Sequence, residues 1–239
     1  MAPAWLEPFS PAFRAALQPW VAPSSEPRLA CFDADGTLWG EDVGEAFFRW
    51  LIAGRLLPRV DCTRDVYAEY ERRVEEDRAR GYMWAVQSMA GLAEVDVVRW
   101  SRQLAAAWPT QRAAMTGLTR GLASLGYDVW IVSASNRWIV EAAAPSVGVD
   151  PAKVVAMAVE VEDGALTDRP VVPLVCREGK VQAIRARFGR RPTLAFGDSV
   201  GDLEMLEDAE QPFVIGRRDK PAVSLLATAR ERGWPVHLF

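Results

Sequence analysis

Short runs of apolar residues recur along the chain, and each run ends at polar or turn-forming residues. They lie at residues 29–32, 129–132, 154–156, 193–196, 213–215 and 236–238. Continuous apolar runs of this length are typical of parallel strands that are buried on both faces. Between the later runs the apolar residues have helical spacing, which predicts helices over 138–147, 179–188 and 222–232 and a helix that begins at residue 203. Strands that alternate with helices predict an α/β fold with a doubly wound parallel sheet.

Residues 42–112 break this alternation, because their pattern is helical throughout. Apolar spacing predicts helices over 41–53, 63–80, 84–92 and 95–107, and a helix over 110–125 then restarts the α/β pattern. We therefore predict an all-helical cap over 42–112, inserted into an α/β core of residues 1–41 and 113–239. Within that core, residues 159–171 alternate around Asp163-Gly164, which predicts a hairpin.

The first apolar run leads directly into an acidic turn that contains Asp33 and Asp35. In open α/β sheets, ligands bind at the carboxyl ends of the strands. Two acids at a buried sheet edge cost free energy unless a cation offsets their charge, and a hard divalent cation would do so. One acid can then act as a nucleophile and the other as a proton donor.

Polar residues also follow two other apolar runs. Ser133 follows the run at 129–132, and Asp198 follows the run at 193–196, with Asp202 just beyond it. Lys180 lies at the start of a predicted helix between these two strands. Each residue alone has a simpler explanation as a turn, a helix cap or a surface side chain. Because parallel strands bring their tips to one edge, their joint placement favours a site for phosphoryl transfer, which needs positioning and charge neutralisation.

Composition excludes several other classes of function. The formal net charge is −4, which gives no reason to expect a nucleic-acid or membrane-surface partner. Three scattered cysteines predict neither a disulfide framework nor a zinc site. The single histidine, His237, lies in the last apolar run, so Ser-His-Asp catalysis is disfavoured. With no signal peptide or membrane-length apolar run, a cytoplasmic location is expected.

Taken in order, the polar clusters resemble the four motifs of the haloacid dehalogenase-like (HAD) superfamily of phosphatases. The motifs are DxDGT at 33–37, Ser133, Lys180, and GDSxxD at 197–202. The helical insertion after the first motif, the hairpin and the segment 178–181 resemble the phosphoserine phosphatase-like branch. At the second motif, Ser133-Ala134-Ser135-Asn136 replaces the Ser-Gly-Gly or Ser-Gly-Ser that is usual in phosphoserine phosphatases.

The resemblance implies a mechanism through an aspartyl phosphate. Asp33 would attack phosphorus, while Asp35 would protonate the leaving alcohol and then activate water. Mg²⁺ would be held by Asp33, the main-chain carbonyl of Asp35, Asp198 and Asp202. Phosphate contacts are expected from Gly36, Thr37, Ser133, Ala134 and Lys180.

The residues that select the substrate are less well determined by the pattern. In phosphoserine phosphatases a glutamate shortly after the first motif meets the substrate amine. Asp42 matches that position, Glu41 is adjacent to it, and Trp39 is a further candidate for contact with the alcohol portion. An arginine for the substrate carboxylate has four candidates, which are Arg72, Arg73, Arg78 and Arg80.

A cluster of aromatic residues suggests a second substrate class. Trp39, Trp138, Tyr82 and Trp84 would form a cage for a quaternary amine if they converge. Phosphocholine or phosphoethanolamine is therefore the alternative to a phosphoserine-like substrate. The simpler interpretation, which we favour, is that the tryptophans fill the core and the seam between cap and core.

The leading prediction is a Mg²⁺-dependent phosphomonoesterase that acts on a small phosphorylated metabolite. A dehalogenase is weaker, because it needs neither the metal nor the acid/base role of Asp35. A phosphotransferase remains an alternative, since the sequence does not identify the acceptor. A metabolite-binding protein without catalysis would be favoured by loss of Asp33 or Asp35, and both are present.

Overall fold

The computed structural model describes residues 3–108 and 112–239. A six-stranded parallel sheet forms its centre, with strand order β3-β2-β1-β6-β7-β8. A separate antiparallel hairpin pairs β4 with β5. The strands are Arg28–Phe32 (β1), Tyr127–Asn136 (β2), Val154–Met157 (β3), Val159–Glu162 (β4), Ala165–Pro170 (β5), Leu194–Gly197 (β6), Gln211–Gly216 (β7) and Val236–Leu238 (β8). The predicted doubly wound α/β core is confirmed.

The described residues also form ten α-helices. They are Pro11–Leu17 (α1), Val43–Ala53 (α2), Val66–Glu76 (α3), Arg78–Gln87 (α4), Glu94–Ala106 (α5), Ala113–Ser124 (α6), Arg137–Ala143 (α7), Glu178–Phe188 (α8), Leu203–Asp208 (α9) and Val223–Glu231 (α10). The α6 and α7 helices pack on β2, whereas α9 and α10 pack on β7. The predicted start of α6 at Thr110 falls outside the described residues.

The central strands are held by apolar side chains that are completely buried. Phe32 on β1 stacks on Phe196 of β6 with ring centroids 4.2 Å apart, and Phe196 stacks on Phe213 of β7 at 5.0 Å. All three rings have no exposed surface. Truncating one such ring to alanine typically costs about 3–5 kcal/mol, because the cavity is only partly refilled. The stacked rings therefore fix the positions of the strands that carry the acidic tips.

The single helix predicted over 63–80 is wrong, because the chain forms two helices that meet at Asp77. Asp77 is extended, with φ −153°, and its side chain accepts a hydrogen bond from the N–H of Arg80 as the N-cap of α4. The two helices then pack closely, since a Cβ atom on Gly81 would lie 2.5 Å from the nitrogen of Val74. Capping and the missing side chain at Gly81 together outweigh the continuous helical pattern.

The second strand is longer than predicted. The apolar run ends at Val132, but β2 continues to Asn136, with a register shift against β3 between Ser133 and Asn136. Asn136 then caps α7 by accepting from the N–H of Ile139 at 3.1 Å. Residues 133–135 therefore extend the strand beyond its apolar run at the edge of the sheet.

Between β1 and β2, the regular elements of the described residues are all helices, α2 to α6. The β4–β5 hairpin is joined to this helical region by main-chain hydrogen bonds. Gly91 N–H donates to Leu166 O at 2.8 Å, and Glu94 N–H donates to Gly164 O at 2.8 Å. The hairpin and the α4–α5 connection are thereby linked. The division into a cap of 42–112 and a core of 1–41 and 113–239 stays a prediction.

No helix in the described part of the chain combines the length and apolar character needed to cross a lipid bilayer.

His237 lies on the last strand, and its Nδ1 accepts the main-chain N–H of Ser10 at 3.1 Å. The ring of His237 also contacts Phe9 and Phe239. The histidine therefore attaches the N-terminal segment to the sheet.

Candidate active site

The first acidic turn directly follows β1, and its first residue is still hydrogen-bonded to the neighbouring strand. Asp33 N–H donates to Phe196 O at 2.8 Å, which carries the pairing of β1 and β6 one residue further. Gly36 then turns the chain with φ +82°, a conformation that L side chains rarely adopt. A Cβ atom at this position would lie 2.0 Å from Oδ2 of Asp198. Glycine therefore allows both the turn and the approach of the first and fourth motifs.

Lys180 lies in the first turn of α8 and points into the acidic cluster. Its ammonium group donates to Asp202 Oδ1 at 2.6 Å, Asp33 Oδ1 at 2.7 Å and Val132 O at 2.8 Å. All three of its N–H bonds are used in this way. Burial alone would lower the pKa of Lys180, but the carboxylates of Asp202 and Asp33 raise that pKa above its ordinary value. Lys180 therefore stays charged and screens Asp33.

The close approach of α8 to its preceding loop depends on Gly179. A Cβ atom there would lie 1.7 Å from the carbonyl oxygen of Leu174. Any other residue at this position would have to push the loop or the helix start away. Gly179 therefore helps to bring Lys180 within reach of the aspartates.

Asp202 connects Lys180 to the loop after β6. One of its oxygens receives Lys180, and the other accepts the N–H groups of Asp198 and Ser199, each at 3.1 Å. Ser199 in turn caps the short 3₁₀ helix 200–202, completing a capping box with Asp202. Because both oxygens of Asp202 are engaged, this residue fixes the loop that carries Asp198.

Three carboxylates form a cluster that can hold a metal ion. Oxygen atoms of Asp33, Asp198 and Asp202 lie within 4.8 Å of one another. Burial raises the pKa of Asp33 to about 7, with the charge of Asp202 adding to the rise and Lys180 opposing it. Burial and the neighbouring Asp33 and Asp202 raise the pKa of Asp198 well above its ordinary value. The negative charge thus exceeds what Lys180 neutralises, and carboxylate oxygens are ligands that Mg²⁺ prefers, so the residues fit this ion.

Asp35 has different surroundings from this cluster. Its Oδ1 accepts Trp39 Nε1–H and Val43 N–H, both at 2.7 Å, and its Oδ2 accepts the hydroxyl of Ser135 at 2.6 Å. Enclosure in the site raises the pKa of Asp35, and these donors, Ser135 first, limit the rise. The side chain is therefore held apart from the three-carboxylate cluster and is fixed at both oxygens.

The residues predicted to bind phosphate differ in their exposure. Gly36, Ser133, Ala134 and Lys180 line the cavity at the sheet edge. The Ser133 oxygen accepts Ser135 N–H at 3.1 Å, which leaves the hydroxyl proton of Ser133 to donate elsewhere. Thr37 is completely buried and does not line this cavity, and its Oγ1 has no hydrogen-bond partner among the described residues.

The cavity has a volume of about 750 Å³ and reaches from the sheet edge into the helical region. Side chains from α2, α3 and α4 form its upper wall, and the loop after β7 forms one flank. The lining residues outside the four motifs include Glu41, Asp42, Glu45, Phe48, Tyr70, Arg78, Tyr82, Arg217 and Lys220. The site therefore combines an acidic and aromatic wall with individual basic side chains.

Of the three residues predicted to select the substrate, two line the cavity. Glu41 and Asp42 are exposed to it, and Asp42 also caps α2 by accepting Glu45 N–H at 2.6 Å. Enclosure, with the charge of Asp35 added to it, raises the pKa of Asp42 well above its ordinary value. Trp39 is completely buried and does not line the cavity, and its indole N–H donates to Asp35 instead.

The four aromatic residues of the hypothetical cage do not converge. Trp39 and Trp138 are 0% and 2% exposed, and Trp138 Nε1–H donates to Glu94 at 2.9 Å. Trp84 packs against the guanidinium of Arg73, 4.8 Å from its ring centroid. Tyr82 alone of the four lines the cavity within the described chain. Trp39 and Trp138 thus fill the protein interior, and Trp84 is half-buried against the core, in line with the simpler interpretation.

Ser135 is the clearest site residue that was not predicted from the sequence. The sequence places it two residues after Ser133, but only the extended β2 brings its hydroxyl to Asp35. Tyr70, Glu45 and Lys220 were also missed. Tyr70 lies at helical spacing from Val66, but this spacing could not indicate that its face of the helix borders a cavity.

The fold and the site together define a class of protein, a hydrolase with an aspartate-centred site on a doubly wound sheet. The site has two aspartates at one strand tip, a buried lysine, and two further aspartates at the next tip. The chain belongs to the haloacid dehalogenase-like hydrolase family, whose sequence model matches residues 30–207. The resemblance to the phosphoserine phosphatase-like branch is confirmed by the relatives that follow.

The chain is 32% identical over 209 residues to phosphoserine phosphatase SerB2 of Mycobacterium tuberculosis. The match covers 84% of this chain and 47% of that protein, so the chain spans about half the length of this curated relative. A Bordetella pertussis protein of unknown function has a similar structure, with a TM-score of 0.75 and 24% identity over 89% of this chain and 98% of that one. A phosphoserine phosphatase structure with a phospho-aspartyl intermediate analogue matches with a TM-score of 0.54 and 20% identity. This match covers 80% of this chain and 87% of that one. The two structures show the shared fold.

Proposed function

We propose that this protein is a Mg²⁺-dependent phosphomonoesterase that hydrolyses a small phosphorylated metabolite through an aspartyl phosphate on Asp33. The observation that carries the proposal is the contrast between two aspartates two residues apart. Asp33 is bonded to Lys180 within a metal-binding cluster, whereas Asp35 is hydrogen-bonded separately at the cavity wall. Such a difference in surroundings is what separates a nucleophile from an acid/base.

In the first step, a carboxylate oxygen of Asp33 attacks phosphorus. Lys180 holds Oδ1, and no described residue hydrogen-bonds the other oxygen, so that oxygen is available for attack. The new Asp33 O–P bond forms as the ester P–O bond breaks, and Asp35 gives its proton to the departing alkoxide. The products are a free alcohol and a phosphorylated Asp33.

In the second step, water attacks the phosphorylated Asp33. Asp35, now ionised, accepts a proton from this water as its oxygen bonds to phosphorus. The Asp33 O–P bond breaks, and inorganic phosphate leaves with both aspartates restored to their starting forms. Ser133 donates its free hydroxyl proton to the phosphoryl oxygens, together with main-chain N–H groups near Gly36 and Ala134.

Mg²⁺ would be held by Asp33, Asp198 and the main-chain carbonyl of Asp35, with Asp202 supporting them. When bound, it neutralises the charge between the attacking carboxylate and the phosphate. The protein supplies the remaining positive charge through Lys180. The predicted cap of 42–112 would exclude water from this site when it closes.

The cavity wall supports a zwitterionic substrate of the phosphoserine type. Both Asp42 and Arg78 line the cavity, where Asp42 offers a carboxylate to an amine and Arg78 offers a guanidinium to a carboxylate. The other three candidate arginines pair with neighbours instead: Arg72 with Glu69 and Glu76, Arg73 with Glu69, and Arg80 with Asp77. Arg78 has no ion pair among the described residues. Phosphocholine and phosphoethanolamine remain the alternative, with the amine at Asp42 and no use for Arg78.

Further parts of the proposal concern location and partners. We place the activity in the cytoplasm, since the three cysteines are free. A small metabolite is the expected partner, and the acidic lining of the cavity disfavours a nucleic acid.

Phosphate release from a panel of phosphomonoesters tests the activity. The panel contains p-nitrophenyl phosphate, phosphoserine, phosphoethanolamine, phosphocholine and a sugar phosphate, each with Mg²⁺ and with EDTA. We expect turnover that needs Mg²⁺ and is abolished in Asp33→Asn, but not in the control Asp96→Asn, whose residue pairs with Arg99 on the surface. Turnover retained by Asp33→Asn would contradict the mechanism. Absence of turnover with Mg²⁺ bound would favour a metabolite-binding protein.

A further inference from the structure

Ser135 donates its hydroxyl hydrogen to Oδ2 of Asp35 at 2.6 Å, and it lines the same cavity. We propose that Ser135 is a positioning residue, which orients the Asp35 carboxyl group for proton transfer to the leaving alcohol. The inference rests on the proposed function, because it assumes that Asp35 is the proton donor. It adds to the reaction a residue that was not among the site residues predicted from the sequence.

The two oxygens of Asp35 have partners of different chemistry. Oδ1 accepts two N–H groups, from Trp39 and Val43, and neither group can accept a hydrogen bond in return. A proton on Oδ1 would displace one of them, so the transferable proton belongs on Oδ2. Ser135 is the described partner of Oδ2, and a hydroxyl can both donate and accept. It can therefore keep Oδ2 in place through both protonation states.

Ser135 is itself held from two sides. Its N–H donates to the Ser133 oxygen at 3.1 Å, which ties it to the second motif. On the other side, Gly44 leaves room for it, because a Cβ atom on Gly44 would lie 2.3 Å from the Ser135 oxygen and 2.6 Å from its Cβ. The hydroxyl therefore has a fixed place between β2 and the first turn of α2.

The same contacts connect the predicted cap to the acid. Val43 and Gly44 belong to the first turn of α2, the first helix of the cap region. The Val43 N–H fixes one oxygen of Asp35, and Gly44 leaves the space for the residue that fixes the other. Proper placement of α2 is thus required for both constraints on Asp35.

The dependence of rate on the leaving group tests this role. A poor leaving group needs protonation as its bond breaks, whereas p-nitrophenolate needs little. For Ser135→Ala, we expect kcat/KM to fall about tenfold or more with alkyl phosphates but less than about threefold with p-nitrophenyl phosphate. In a series of aryl phosphates, the slope of log kcat/KM against leaving-group pKa should become steeper than in the wild type. If Ser135 were needed only for folding, Ser135→Ala would lower kcat/KM equally for all substrates and leave the slope unchanged. That result would overturn the inference.

Two further variants make the result independent of folding defects. Gly44→Ala keeps the Ser135 hydroxyl but displaces it, so it should steepen the slope as Ser135→Ala does. Ser146→Ala removes a half-buried serine whose hydroxyl donates only to Ala143 O, and it should leave slope and rate unchanged. An unchanged slope in folded Gly44→Ala, with wild-type unfolding temperature, would also count against the inference.

The same data separate this inference from the proposed function. If the wild type turns over aryl phosphates with Mg²⁺ and Asp33→Asn does not, the proposed function holds whatever the slope of Ser135→Ala. If the wild type has no such turnover, both the proposed function and the role of Ser135 are overturned.

Discussion

A Cβ atom on Gly36 would lie 2.0 Å from Oδ2 of Asp198, so the first and fourth motifs touch at a point where only hydrogen fits. Gly36 also has φ +82°. The glycine therefore meets two separate requirements, a left-handed turn and the space for a carboxylate. These requirements can be separated experimentally, because another glycine in the chain has only the first.

We predict that Gly36→Ala displaces Asp198 and weakens Mg²⁺ binding by about tenfold or more, the range found when groups that support metal ligands are lost. Isothermal titration with Mg²⁺ measures the change. Gly126→Ala is the matched control: its φ is +84°, but nothing lies within 4 Å of the new Cβ atom. Both variants should lose about 1 kcal/mol of stability from the strained turn. Equal Mg²⁺ affinity in the two variants would contradict the steric explanation.

Lys180 should be a large contributor to the stability of the metal-free protein. Lys180→Met leaves Asp33 and Asp202 buried without their cation, and removal of one partner of a buried pair costs about 3–5 kcal/mol. Urea unfolding in EDTA measures this loss. Arg185→Ala on the same helix breaks an exposed pair with Asp208 and should cost less than about 1 kcal/mol. A similar cost for both variants would show that the buried network contributes no more than a surface pair.

The stability of the metal-free protein should fall as pH rises. Burial and the charge of Asp202 raise the folded-state pKa of Asp33 from 3.8 to about 7. Between those values the folded protein binds a proton that the unfolded chain has lost, so folding becomes less favourable as pH rises through that window. The unfolding temperature in EDTA should drop by roughly 5–10 °C between pH 5 and pH 8.

Mg²⁺ should remove most of this drop, because it replaces the proton as the compensating charge. Asp33→Asn should also reduce the drop. His237 works in the opposite direction, since burial lowers its pKa and its contribution to stability grows with pH. A metal-free unfolding temperature that rises from pH 5 to pH 8 in the wild type, with the same rise in Asp33→Asn, would contradict the role assigned to Asp33.

Most of the candidate site could be predicted from the sequence because of one property of parallel sheets. Their carboxyl ends share an edge, so Asp33, Ser133 and Asp198 had to lie together once their strands were identified. Lys180 followed from its place at the start of a helix between two of those strands. No knowledge of side-chain orientation was needed for this part.

The contacts to Asp35 could not be predicted in this way. Ser135 reaches Asp35 because β2 continues past its apolar run. The apolar pattern that predicts the strand stops at Val132 and gives no sign of this extension. The same sequence pattern would allow Trp39 either to line the cavity or to be a buried hydrogen-bond donor. The direction of its indole, fixed by packing, decides between them.

The choice among the cap arginines also depended on packing. Arg72, Arg73, Arg78 and Arg80 lie within nine residues of sequence, and a continuous helix would spread them around its axis. The break at Asp77 places Arg78 at the start of a new helix, where it borders the cavity. A predicted helix of 63–80 could not have selected it.

Arg78 should therefore determine how well the enzyme accepts a substrate carboxylate. For Arg78→Ala, we expect kcat/KM for phosphoserine to fall roughly 10- to 100-fold, since a hydrogen bond to a charged group is worth about 1.5–3 kcal/mol. Phosphoethanolamine carries the amine but no carboxylate, so its kcat/KM should change less than about twofold. Steady-state kinetics with both substrates measures the difference, and KM should account for most of it because the contact lies away from the reacting phosphate.

Two controls define the interpretation of this experiment. Arg80→Ala removes a guanidinium that lies 3.5 Å from Asp77 and does not line the cavity, so neither substrate should be affected. Asp42→Asn should weaken the binding of both substrates, because both carry an amine. If Arg78→Ala and Arg80→Ala behave alike with phosphoserine, Arg78 does not bind the carboxylate. Selection would then fall to the amine at Asp42 alone, which favours the phosphoethanolamine class over phospho-amino acids.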